Sequence, residues 1–159
     1  VQFVHGLESS PSGDKARYFS RHFDAVTLPM DTSVFEASVG VQAARIAERS
    51  PDVLVGSSFG GAVALALLVR GIFRGPTLLL APAHRYYGVE EGVPLGVPVL
   101  IVHGTRDSVV SIEGSRALAR TGTLGLVRLV EVDDEHRLGT LTQSDALANL
   151  VKSAFHFGS

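Results

Sequence analysis

The chain has 159 residues, 45% of them hydrophobic, 19% charged and none cysteine, which fits one domain with its own core and excludes disulfides, thiolate metal sites and a cysteine nucleophile. Sixteen acidic and fourteen basic residues leave a formal charge of −2, with no run of Lys or Arg. That balance excludes the positive footprint of a nucleic-acid binder or of a protein held on an anionic membrane.

The opening residues, VQFVHG, read as a short strand ended by glycine. They lack the basic start of a secretory leader, so the expected location is cytoplasmic. Residues 14–23 follow, with Ala16, Phe19 and Phe23 at the i, i+3, i+7 spacing of a helix with one apolar face. A strand is expected at AVTL (25–28), a helix over 34–49, a strand at VLVG (53–56) and an Ala- and Leu-rich helix over 59–70. Strands at TLLLA (77–81) and PVLIV (98–102) come next, then a helix over 113–120, a strand at VRLVEV (127–132) and a last helix over 144–157. Residues 82–96 show no clear helix. Most strand candidates are continuous apolar runs, the pattern of strands buried on both faces. Alternating strands and helices then predict a mostly parallel sheet covered on both sides. The longest apolar stretch, around AVALALLV, falls short of the ~18 residues of a spanning helix, so no membrane segment is expected.

In open α/β sheets, chemistry sits beyond the carboxyl ends of the strands. Gly56-Ser57-Ser58-Phe59-Gly60 lies between an apolar strand and an apolar helix and matches the G-x-S-x-G nucleophile elbow, with Ser58 central and Ser57 the weaker candidate. A serine needs a base, and the base needs an orienting acid. His136 follows the last strand and Asp107 the one before it, giving the order Ser, Asp, His. Asp133, Asp134 and Glu135 crowd His136 and are alternative acids. His103 reads as structural, His5 as loop-shaping, and His22, His84 and His156 as surface or packing residues. The backbone N–H of Phe59, and that of Leu7 beside Gly6, are the candidate oxyanion donors. No metal-ligand spacing occurs, and no cofactor is expected.

Three segments together carry a family resemblance. His5-Gly6-Leu7-Glu8-Ser9-Ser10-Pro11-Ser12-Gly13-Asp14-Lys15 resembles an HGxxSSPxSxK-like opening, Gly56-Ser57-Ser58-Phe59-Gly60-Gly61 a GSSxGG elbow, and His103-Gly104-Thr105-Arg106-Asp107 an acid loop, followed by His136. The chain resembles the small lidless bacterial α/β-hydrolases, compact serine esterases. The resemblance implies a three-layer α/β-hydrolase fold with a mostly parallel sheet of about six strands, lacking the first two strands of the full fold and any cap domain. It also implies hydrolysis of a small-molecule ester, without a cofactor. Here acidic residues stand where relatives often have a glycine before the last histidine, and Ser111 stands at a frequent proline.

About fifteen residues between the strands at 77–81 and 98–102 leave no room for a helical cap, so an open site for small or short-chain acyl groups is expected. Met30, Leu7 and the Phe59 ring are the expected acyl side, with Gly6 close to the substrate and Arg85, Tyr86 and Tyr87 on the opposite rim. A thioesterase, acyltransferase or peptidase would use the same residues, and a non-catalytic binding module would keep the scaffold alone. Without two strands, the strand at 25–28 becomes an edge open to a second copy, so a homodimer is the protein partnership to consider.

Overall fold

The computed structural model describes residues 1–159. Six strands form one all-parallel sheet: β1 (Gln2–Val4), β2 (Val26–Thr27), β3 (Leu54–Ser57), β4 (Thr77–Leu80), β5 (Val99–Gly104) and β6 (Val127–Val132), in the order β2-β1-β3-β4-β5-β6. Five helices connect them or follow them: α1 (Asp14–His22), α2 (Phe35–Glu48), α3 (Phe59–Val69), α4 (Ile112–Leu118) and α5 (Ala146–Phe157). The boundaries fall close to those expected. Between β4 and β5 the chain makes one 3₁₀ turn, His84–Tyr87, and no cap domain. No helix is long and apolar enough to cross a membrane.

Alternate side chains of each central strand feed opposite faces of the sheet. Val4, Leu54, Leu79 and Ile101 join a core with α2, α3 and α4, whereas Phe3, Val55, Leu78, Leu80, Leu100 and Val102 join a second core with α1 and α5. Each helix presents the matching stripe. Leu147, Ala148, Val151 and Ala154 line one side of α5, and Val39, Gln42 and Ile46 line one side of α2. Helix α3 is buried from Phe59 through Leu68, which explains its nearly unbroken apolar sequence. This is a three-layer sandwich.

The strand order also locates the site. From β1 the chain moves outward to β2, then crosses back over β1 to β3 and runs on in one direction through β6. The direction reverses between β1 and β3, and at such a switch point the loops leaving two adjacent strands diverge to opposite faces and open a crevice. The loops leaving those strands carry His5-Gly6-Leu7 and Ser58.

Candidate active site

Ser58 occupies the one-residue turn between β3 and α3, with φ 56° and ψ −114°. Positive φ is a strained region for a residue with a side chain, and strain of this kind costs on the order of 1–3 kcal/mol. Close packing holds the turn in place. A Cβ on Gly60 would lie 1.9 Å from the carbonyl oxygen of Val4, and one on Gly56 would lie 2.4 Å from that of Gly60. Only glycine lets strand, turn and helix approach so closely. The amide of Ser58 donates to the Leu80 carbonyl (2.9 Å), and the Ser58 carbonyl accepts from Gly61, Ala62 and Ala83. The elbow is thus pinned to β4 and to the loop after it.

The three polar side chains meet beyond the sheet. His136 Nε2 lies 2.9 Å from Ser58 Oγ, and His136 Nδ1 lies 2.7 Å from Asp107 Oδ2. A carboxylate only accepts, so the ring carries its hydrogen on Nδ1 and turns the Nε2 lone pair towards the serine hydroxyl. The Asp107 side chain is fully buried, while that of His136 keeps 19% of its surface in reach of solvent. Burial alone would raise the Asp107 carboxyl. The N–H of Val110 (2.8 Å), the His136 ring and the N–H of Val109 (2.9 Å) outweigh it and hold the group below its usual range.

The rival acids are drawn elsewhere. Asp133 and Glu135 pair with Arg106 at 2.8 and 3.4 Å. Asp134 turns inward, where its carboxylate accepts from the N–H of Glu135 (2.7 Å), the N–H of Thr140 (3.0 Å) and the Thr140 hydroxyl. These bonds close the turn before His136. A Cβ on Gly104 would lie 2.3 Å from the Asp134 carbonyl, so this loop is pressed onto the end of β5. Lys15 Nζ donates to the Arg137 carbonyl and ties the loop to α1.

Gly6 faces the elbow, since a Cβ there would sit 3.5 Å from the Ser58 Cβ. The N–H groups of Leu7 and Phe59 have no acceptor within the protein. The Leu7 side chain is half exposed. Met30 is partly buried against the α3-side core. The Phe59 ring, expected on the acyl side, is fully buried: it packs edge-on against Tyr87 (5.0 Å) and Phe35 (5.9 Å). Tyr87, expected on the rim, stacks on Phe35 at 5.3 Å in the same cluster. Arg85 and Tyr86 are exposed and, with His84, Val110, Ser111 and Gly114, line a cavity of about 90 Å³ beside the Asp107 loop. No three His, Asp or Glu side chains converge as a metal site.

One contact escaped the sequence reading. His103, wholly buried near the end of β5, sets Nε2 3.0 Å from Asp107 Oδ2, the same oxygen that meets His136. The signal was present in the i, i+4 spacing of His103 and Asp107, but it acquires meaning only when the chain turns back on itself after Gly104.

No protein-family model matches the chain, and no curated protein matches it in sequence. Solved structures do match it in shape. A protein of the alpha/beta hydrolase superfamily from Xanthomonas campestris pv. campestris superposes with a TM-score of 0.73 at 25% identity, over 96% of each chain. The esterase domain of a Rhodothermus marinus protein gives 0.70 at 18% identity, over 99% of this chain and 86% of that one. A monoacylglycerol lipase from Paleococcus ferrophilus gives 0.76 at 14% identity, over 98% and 93%. The chain has the α/β-hydrolase fold.

Proposed function

We propose that this protein is a serine hydrolase that cleaves carboxylic esters, with small or short acyl groups, through an acyl-enzyme on Ser58. The observation that carries the reading is the unbroken chain of contacts from Ser58 Oγ to His136 (2.9 Å) and from His136 to a buried Asp107 (2.7 Å), on a serine held in a strained turn. Neighbours of the same fold described as an esterase domain and a monoacylglycerol lipase agree with it.

As Ser58 Oγ attacks the acyl carbon, His136 Nε2 takes its proton, and Asp107 steadies the imidazolium. The oxyanion of the tetrahedral intermediate accepts from the free N–H groups of Leu7 and Phe59, at the positive end of α3. Collapse expels the alcohol, which takes the proton from His136. Water then gives a proton to His136, attacks the acyl carbon and releases the acid, and the proton returns to Ser58. Leu7 and Met30 form the acyl side in this reading, and Arg85 and Tyr86 the leaving-group rim. No step calls on a cofactor.

Ser58→Ala should lower kcat for short p-nitrophenyl esters by about 10⁴-fold or more and abolish labelling by a fluorophosphonate probe. A folded Ser58→Ala protein hydrolysing at the wild-type rate would rule the scheme out, and a folded wild-type protein that neither hydrolyses nor labels is a binding module. Thioesters and alternative acceptors in the same assay separate esterase from thioesterase or acyltransferase.

A further inference from the structure

Asp107 is held on both sides. His136 meets Oδ2 from the solvent side, and His103 meets it from within the core, at 3.0 Å. His103 Nε2 also lies 3.0 Å from the Val110 carbonyl oxygen. A carbonyl and a carboxylate can only accept, so Nε2 carries a hydrogen, which it donates to the Val110 carbonyl with Asp107 Oδ2 standing beside it. At the opposite edge of the ring, Nδ1 meets the buried hydroxyl of Ser115 at 2.7 Å, which donates when the ring holds a single proton. Five side chains therefore stand in series: Ser58, His136, Asp107, His103 and Ser115. The other titratable groups set around His103 are His84, from the 3₁₀ turn, and Glu131, its register partner on β6, whose carboxylate is engaged by Arg116 at 2.6 Å.

We propose that His103 is a positioning residue for the proposed reaction: held in one tautomer by the Val110 carbonyl and anchored at Nδ1 by Ser115, it fixes the rotation of the Asp107 carboxylate and takes up part of its negative charge, which limits how strongly His136 is drawn to hold a second proton. Packing alone does not account for the arrangement. An apolar side chain would fill the same volume without the directed N–H, and Ser115 would then have no reason to present a buried hydroxyl to it. The role rests on the serine-hydrolase reading, but its consequence for the His136 ring does not require turnover.

The test is a nitrogen-15 NMR titration of the His136 ring in the wild type, His103→Leu, His103→Gln and Ser115→Ala, run beside ester turnover. In His103→Leu, Oδ2 of Asp107 keeps His136 as its one remaining partner, so the ring should hold its second proton to higher pH. The acidic limb of kcat/KM should move with it, and kcat should fall about ten- to a hundredfold with KM little changed. His103→Gln restores an N–H close to the position of Nε2 and should recover most of both. Ser115→Ala frees the ring to turn and should move the titration in the same direction by less. An unmoved His136 titration in folded His103→Leu overturns the proposal, as does a glutamine variant no better than leucine. If His103→Leu does not fold, an unchanged titration in Ser115→Ala overturns it. A wild-type protein without turnover counts against the hydrolase reading, whereas an unmoved titration counts against the role of His103.

Discussion

Asp107 is the residue on which the proposed chemistry is most exposed to a small change. Its carboxylate takes the N–H groups of Val109 and Val110 on one oxygen and the two histidine rings on the other. Asp107→Asn keeps the volume, but the new amide presents an N–H to at least one of these partners. Turned towards His136, that N–H forces the ring hydrogen onto Nε2, which then faces Ser58 as a donor and cannot take its proton. The expected loss in kcat is about 10⁴-fold, with a lower melting temperature at pH 7 from the weakened charge-assisted bonds, checked by steady-state kinetics and a thermal melt. The convergence of Ser58, Asp107 and His136 was legible because each follows a strand and because the proposed acyl transfer needs those three groups in reach. The inward turn of Asp134 was not legible, since Asp133, Asp134 and Glu135 differ only in partners supplied by Arg106 and Thr140 from elsewhere in the loop system. The burial of the Phe59 ring was hidden for the same reason: residue type says aromatic, and only the packing of Phe35 and Tyr87 says inside.

Among the elements, strands buried on both faces announced themselves as apolar runs, and the helices between them followed from spacing. The misfits have local causes. AVTL contributes only Val26 and Thr27, because this is an edge strand and Pro29 has no N–H with which to extend the ladder. Strand β5 runs on through His103 and Gly104, where polarity ends the apolar run while pairing with Glu131 and Val132 continues. The 3₁₀ turn at His84–Tyr87 carries no periodicity long enough to read. The loop bearing His136 depends most on one group. Burial acts to raise the Asp134 carboxyl, but the Thr140 hydroxyl and the N–H groups of Glu135 and Thr140 hold it below its ordinary value. A carboxyl lowered on folding adds stability that is complete above the unfolded value, about 3.9, and disappears as pH falls through the lower folded one. Asp134→Asn should therefore cost about 2 kcal/mol at pH 7, from the lost charge-assisted bonds, and the gap to wild type should narrow below about pH 4. Denaturant unfolding at pH 7 and pH 3 measures both. A gap that does not change with pH would assign the loss to shape alone.

At the scale of the whole molecule, selectivity in the proposed reaction follows from what the fold leaves uncovered. The connection from β4 to β5 is a single 3₁₀ turn and loop, with no cap over the crevice. Phe59 and Tyr87 are committed to the aromatic cluster with Phe35, so neither lines a channel for an acyl chain. Each methylene buried from water contributes about 0.8 kcal/mol, close to a fourfold gain in kcat/KM, but only while there is wall to bury it against. Across p-nitrophenyl acetate, butyrate, hexanoate and octanoate, kcat/KM should therefore rise by no more than about fourfold per methylene at the start and level off or fall after butyrate. A rise sustained through octanoate would require a closed acyl channel, and with it a movement of the 81–98 connection over the site that this open architecture does not contain.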